Sequence, residues 1–430
     1  MTEVVQHNRG DNRMYTDGKR LWDSVEALAE YTDAEMPFSR LPFSQMHGHA
    51  RKKLEHMFRG ADLEVRIDSA GNLIGRLEGA KWKDRVIMIG SHSDTVPGGG
   101  RFDGIAGILA GLELAHTLKD RGVRLEHSLE IVDFLAEEHN EFGVSCIGSR
   151  GMSGHLSSEH LTIVNDNGES LSAAIDRMGG NTIRLGDARR TDRDLHAFLE
   201  LHIEQGPVLY STDIEIGVVA DVVGIRRMEV EVQGQANHAG TTPMNLRHDA
   251  MVAAADMVVA VNCEALKLDA EGKSYFVATV GRLCVSPNGA NVVPGRVNFV
   301  IDARSSDDKM LERFAVACDA AFERICEERS TKYCSSVSTD SPSTRCNSRV
   351  VEAIASTCEA LGASHLRMSS GAGHDAVFMG KIAPMGMLFV PSRAGISHSS
   401  EEWTEPAALH LGTEALYRTV LTLDKCRIED

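Results

Sequence analysis

Five side chains of metal-ligand type, His92, Asp103, Glu138, His202 and His398, stand in five separated segments of a 430-residue chain. A set of His, Asp and Glu without Cys suits a hydrolytic site for Zn²⁺, Mn²⁺, Co²⁺ or Ni²⁺ better than a structural zinc site. One catalytic zinc takes about three protein ligands. Five match two metals that share one carboxylate, a pair usually about 4 Å apart. The chain must therefore fold so that distant segments meet at one point, His398 included.

The pattern of apolar residues indicates how. Residues 22–36 and 45–58 read as helices. Val86-Ile87-Met88-Ile89 reads as a buried strand, 105–119 as a helix stopped by Arg121-Gly122, and Leu129–Leu135 as a second buried strand. Strand, helix and strand at this spacing predict a βαβ unit in a mostly parallel sheet covered by helices. Phe198–Ile203 is a further strand. Near residue 212 the character changes: Met228, Val230 and Val232 alternate with Glu229, Glu231 and Gln233, the mark of a half-solvated strand. A helix over 248–263, strands over 274–285 and 296–304, an amphipathic helix over 307–328 and a strand near 331–338 complete a βαββαβ pattern. Helices over 347–361 and 406–424 and the strand 387–390 then return to the first type. The expected fold is α/β: a discontinuous catalytic domain, 1–211 and 341–430, with a smaller α+β domain inserted over 212–340.

Each ligand has its own local context. His92 lies in Gly90-Ser91-His92-Ser93-Asp94-Thr95, directly after a buried strand, where ligands bind in open α/β sheets. Asp94 is placed to accept a hydrogen bond from the imidazole nitrogen not used by a metal, which would set the tautomer. Asp103 follows a glycine run at a helix start, where it could equally serve as an N-cap. Glu137-Glu138 follows the second strand. An adjacent pair of carboxylates is ordinarily a solvated turn, but beside a metal one can bind and the other can act as base. Glu137 is the expected base, taking a proton from water whose pKa the metals lower. His202 and His398, each alone, read as ordinary structural histidines among 18.

Composition narrows the partners. The net charge of -17 argues against nucleic acid or an anionic membrane, though not against a small anionic substrate. Nine cysteines without a short-spaced framework, four of them (Cys146, Cys263, Cys284, Cys318) in apolar sequence context, indicate reduced thiols and a cytoplasmic location. The first twenty residues have no apolar stretch of signal-peptide type, and no run approaches the roughly 20 apolar residues that span a bilayer. The chain has no H-E-x-x-H, no P-loop and no G-x-S-x-G. Gly371-Ala372-Gly373-His374-Asp375-Ala376 fits G-x-G-x-x-A, but no full βαβ unit follows it.

At these residues the chain resembles the M20 metallopeptidase superfamily, and within it the N-carbamoyl-L-amino acid amidohydrolase, allantoate amidohydrolase and β-ureidopropionase group. The motifs GSHSDTVPGGGRFDG, EEHNEFG, LHIEQGP, NHAGTTPM, GANVVPG, IDAR, SGAGHDA and GISHSSEE carry the resemblance from about residue 40 onward. It implies two divalent ions per subunit: one held by His92, Asp103 and His202, the other by Asp103, Glu138 and His398, with Asp103 bridging. It implies Glu137 as general base, with Asp94 beside it. The superfamily's peptidases carry a carboxylate where this chain has His202, which favours the amidohydrolase branch over a peptidase. The insert is then a lid and homodimerisation domain, and His238 reaches the partner subunit's site to stabilise an oxyanion. Gln205, Asn291, Arg304 and Gly371 match positions that bind the substrate's carboxylate and ureido groups, Arg304 as a two-point clamp. One departure stands beside the metals: relatives commonly continue the double glutamate with Gly and then Arg-Phe, and this chain has His139-Asn140-Glu141-Phe142. A non-catalytic binding protein would have lost a ligand or Glu137, and neither is lost.

Overall fold

The computed structural model describes residues 13–426. Residues 1–12, part of the leading segment read for a signal peptide, lie outside them. The chain separates into two compact units. One runs through Ala220 and resumes at Arg345, and the other is Asp221–Thr344.

In the larger unit the strands lie in the order Glu64–Ile67, Leu73–Leu77, His127–Phe134, Trp82–His92, Leu195–Ile203, Met385–Val390, Ile216–Val222. The four central strands, from His127–Phe134 to Met385–Val390, are parallel; those outside them join antiparallel. The parallel strands are buried along nearly their whole apolar length, as a sheet covered on both faces requires. The helix Ile105–Asp120 is buried on almost every side, consistent with its lack of a polar face.

The smaller unit follows the βαββαβ pattern. Its four-stranded antiparallel sheet has the order Lys332–Ser341, Gly224–Gln233, Arg296–Ser305, Phe276–Ser286. Met228, Val230, Val232, Val297, Phe299 and Ile301 point to one core with the helices Ala250–Ala270 and Asp308–Arg329, packing on Ala254, Met257, Phe314 and Phe322. Glu229 and Glu231 alternate outward, so the strand is solvated on one face.

Several boundaries differ from expectation. The first helix is Gly18–Ala29, not 22–36, because the Asp17 side chain accepts the Lys19 and Arg20 amides and caps it early. The insert opens at Asp221 rather than 212, because residues 217–219 still pair with Met387–Phe389 in the large sheet. The short strands Glu64–Ile67, Leu73–Leu77 and His365–Ser370 were not anticipated. Their runs are too brief to show a period. All nine cysteines are free; Cys146 and Cys318 are buried, whereas Cys263 and Cys284 are exposed despite their apolar sequence neighbours. No described helix is long and apolar enough to cross a membrane.

Candidate metal centre

The four parallel strands end at one edge, and each proposed ligand sits at or just beyond it. His92 is the last residue of its strand and His202 the penultimate residue of another. Glu137 and Glu138 follow His127–Phe134 after Ala136, whose φ of 54° turns the chain out of the strand. His398, at φ 53°, lies in the loop beyond Met385–Val390. Left-handed backbone at non-glycine residues is costly and gathers where a site over-determines it. Asp103 precedes the helix Ile105–Asp120. Gly104 starts that helix at φ 69°, and a Cβ there would fall 2.4 Å from the His92 carbonyl oxygen and 2.5 Å from its Nε2, so only glycine fits. The helix has no side-chain cap, so Asp103 is not an N-cap and its carboxylate faces the histidines.

The two oxygens of Asp103 divide the cluster. Oδ1 lies 3.1 Å from His202 Nε2 and 3.5 Å from His92 Nε2. Oδ2 lies 3.1 Å from His398 Nε2, which is 3.5 Å from Glu138 Oε1. Two ligand groups result, His92–Asp103–His202 and Asp103–Glu138–His398, with ligand atoms in each within 4.8 Å of one another. In His92 and His202 the Nδ1 atom meets a backbone carbonyl, Asp94 O and Ile203 O, each at 2.9 Å. That fixes the proton on Nδ1 and leaves the Nε2 lone pair toward Asp103.

Asp94 acts differently from the expected carboxylate–imidazole pair. Its carbonyl, not its carboxylate, accepts the hydrogen bond from His92 Nδ1; Oδ1 is 3.9 Å from that nitrogen. The carboxylate instead accepts the amides of Glu137 at 3.3 Å and Glu138 at 3.0 Å. It positions the double glutamate. Beneath this loop Arg40, fully buried, donates to the Ser93 carbonyl at 3.0 Å, while its own amide donates to Thr95 Oγ1 at 2.8 Å.

The site is rich in buried acid. Burial first, then the charge of Asp103, pushes Glu138 up to about 7 and Glu402 up to about 8. Burial likewise holds Glu137 well above the usual carboxylate range. Its hydrogen bond to Asp103 lifts His398 to about 9. Burial raises Glu200 to about 8 and Asp375 to about 7. Groups that destabilise one another's charged forms in this way are the environment a divalent cation relieves. The donor set, imidazole and carboxylate with no thiolate, fits Zn²⁺, Mn²⁺, Co²⁺ or Ni²⁺.

The expected substrate residues fall in both units. In the larger, Gln205 (φ 57°) donates from Nε2 to Asp103 Oδ2 at 2.8 Å and lies 3.3 Å from His398 Nε2; its Oε1 is buried with no hydrogen-bond partner. Gly371 opens the loop after His365–Ser370, and the His374 ring of that loop packs against His202, centroids 4.5 Å apart and tilted by 60°. In the smaller unit the short strands Asn237–His238 and Val292–Val293 pair, bringing Asn291 beside His238. The Gly240 and Thr241 amides donate to His238 Nδ1 at 3.0 and 3.2 Å, so the neutral ring carries its proton on Nε2. Arg304 donates from Nε to Asp302 Oδ1 at 2.8 Å.

Sequence reading missed Glu402. This buried carboxylate accepts the amides of Phe102 at 2.8 Å and Asp103 at 3.2 Å and the Ser397 hydroxyl at 2.8 Å, tying the Asp103 loop to the His398 loop. A Cβ on Gly100 would strike its Oε1 at 2.3 Å. The signal lay in GISHSSEE, where Glu402 stands four places after His398. Glu200 and His374 were also missed; with His202 they form a third buried group of ligand-type atoms. Glu402→Ala should weaken metal retention roughly 10- to 100-fold, the usual cost of removing a residue that orients a ligand. Metal content after equilibration with graded chelator checks this, and unchanged retention would contradict the role.

Comparison with known proteins places the chain in a family. The profile described as Peptidase family M20/M25/M40 matches residues 88–422. An N-carbamoyl-L-amino-acid amidohydrolase of Paenarthrobacter aurescens is 38% identical over 408 residues, 95% of this chain and 98% of that protein. An allantoate amidohydrolase of Bacillus subtilis is 36% identical over 396 residues, 92% of this chain and 95% of that protein. A crystal structure of an amidase of the hydantoinase/carbamoylase family from Burkholderia multivorans superposes with a TM-score of 0.88 at 33% identity, covering 96% of this chain and 99% of that one. The chain belongs to the M20/M25/M40 peptidase family.

Proposed function

We propose that this chain is a dimetal amidohydrolase that removes the carbamoyl group from N-carbamoyl-L-α-amino acids, consuming water and releasing ammonia, CO₂ and the free amino acid. It is a hydrolase of amide bonds, as its family is hydrolytic and its relatives are amidohydrolases. The observation that carries the dimetal reading is the division of Asp103, one oxygen toward His92 and His202 and the other toward His398. His92, Asp103 and His202 would hold one ion, and Asp103, Glu138 and His398 the other. When bound, the ions supply Lewis-acid polarisation of the ureido carbonyl and lower the pKa of water.

The chain's own groups do the rest. Glu137 takes the proton of the attacking water and returns it to the departing nitrogen, as a general base that then becomes an acid. His238 donates its Nε2–H to the developing oxyanion. Arg304 pairs with the α-carboxylate through two parallel bonds, while Gln205, Asn291 and Gly371 meet the ureido group and backbone of the substrate. The partnerless Gln205 Oε1 supports this role, because it is an acceptor suited to a ureido N–H. The insert serves as lid and dimerisation domain, and His238 acts in the partner subunit's site.

Three experiments test this. Glu137→Gln should keep its metals and lose roughly 10²- to 10⁴-fold in kcat; a panel of N-carbamoyl-L-amino acids, allantoate, ureidoglycolate and N-carbamoyl-β-alanine, assayed by ammonia release, should favour the first. Near-normal kcat in this variant would remove Glu137 from the chemistry, and preference for allantoate would move the substrate assignment. Separately, mixing inactive His238→Ala and Glu137→Gln proteins should restore about a quarter of wild-type activity. Free exchange makes about half the protein mixed dimers, each with one intact site of two. A mixture that stays inactive after proven exchange would place His238 in its own subunit's site or outside catalysis.

A further inference from the structure

Glu137 and Glu138 are neighbouring buried carboxylates at the end of one strand, yet the proposed function gives them different work. The two are separated by what each oxygen meets. Glu138 Oε1 lies 3.5 Å from His398 Nε2, within a ligand group. Glu137 Oε2 lies 3.8 Å from His92 Nε2, on the metal side. The other oxygen, Oε1, accepts a hydrogen bond from the Cys146 thiol, Sγ to Oε1 3.3 Å.

We propose that Cys146 is a positioning residue for Glu137, holding one carboxylate oxygen so that the side chain cannot chelate a metal and its other oxygen is free to carry a proton. The proposal rests on Glu137 being the base.

The backbone enforces this contact. The Cys146 amide donates to the Glu137 carbonyl at 2.9 Å, Ile147 to Ala136 at 3.1 Å and Gly148 to Leu135 at 2.8 Å. These three successive bonds pin the segment against the strand exit. Cys146 itself takes φ 54°, starting the helix Ile147–Ser153, and its side chain is buried. A thiol is a weak donor, sufficient to select one carboxylate rotamer where water is excluded. An oxygen that accepts this bond is turned away from the ligands, so two-oxygen binding by Glu137 is blocked. Glu138 has no such restraint.

The test compares Cys146→Ala, which removes the donor, with Cys146→Ser, which keeps one, in the full-length metal-loaded protein. The alanine variant should lose kcat roughly 2- to 12-fold, the range of an ordinary hydrogen bond, because a thiol is a weak donor, with KM within about twofold. Serine should recover most of that loss. Metal content and thermal midpoint, measured alongside, should stay near wild type in both. In a Glu137→Gln background, Cys146→Ala should cost nothing further, because the thiol acts through Glu137. A readout independent of turnover is the S–H stretching band isolated by an infrared difference spectrum, wild type minus Cys146→Ala. It should lie below that of free thiols and move up in Glu137→Ala. Wild-type kcat in the alanine variant beside an inactive Glu137→Gln overturns the proposal alone. Serine as impaired as alanine, or a full extra loss in the Gln background, also overturns it. Normal kcat in Glu137→Gln overturns the base reading, and the proposal with it.

Discussion

The centre is organised by one carboxylate. Asp103 meets three imidazoles from three segments far apart in the chain, two on one oxygen and one on the other. The neighbouring structure serves to keep it there. Gly104 allows the backbone to pass against His92, Glu402 holds the Asp103 amide, and carbonyls of the strand ends turn His92 and His202 so that Nε2 faces inward. A parallel sheet suits this task because its strands all deliver their carboxyl ends to the same edge, and that edge can collect ligands from remote parts of the sequence.

Electrostatics explains why so much machinery surrounds a few side chains. Burying several carboxylates together disfavours their charged forms, and the rise of Glu138 to about 7 and Glu402 to about 8 records it. The fold offsets part of this with backbone N–H groups: Asp94 accepts two and Glu402 two. Divalent cations would supply the remaining positive charge. The proposed division of labour between Glu137 and Glu138 would then depend on small differences in what their oxygens touch, not on differences in the residues.

Much of this was legible in the sequence. The buried strand preceding His92 stood out because a parallel strand covered on both faces is a near-continuous apolar run, and the one preceding Glu137 stood out despite its buried Glu130 and Asp133. The insert's strands stood out for the opposite reason, their strict alternation. The five candidate ligands could be named from their motifs. What the sequence withheld was mostly a matter of which atom meets which. Asp94 stands two residues after His92, an offset that suits its carbonyl and its carboxylate equally, and only the fold shows that the carbonyl takes the imidazole while the carboxylate holds the next loop. Glu402 was not singled out, because the amides it holds lie about 300 residues away in the sequence. The insert boundary was misjudged because Ile216–Val222, which belongs to the large sheet, runs into the insert's first strand, Gly224–Gln233, with only Val223 between them.

The claim that two ions share Asp103 is tested most directly by metal stoichiometry. Wild-type protein and the variants Asp103→Ala, His202→Ala and His398→Ala would be equilibrated with Mn²⁺ or Zn²⁺ and measured by mass spectrometry of metal content per chain. The account predicts two ions in the wild type, one in each histidine variant and loss of both in Asp103→Ala. Retention of a full complement by Asp103→Ala, or a wild type that never exceeds one ion, would contradict it.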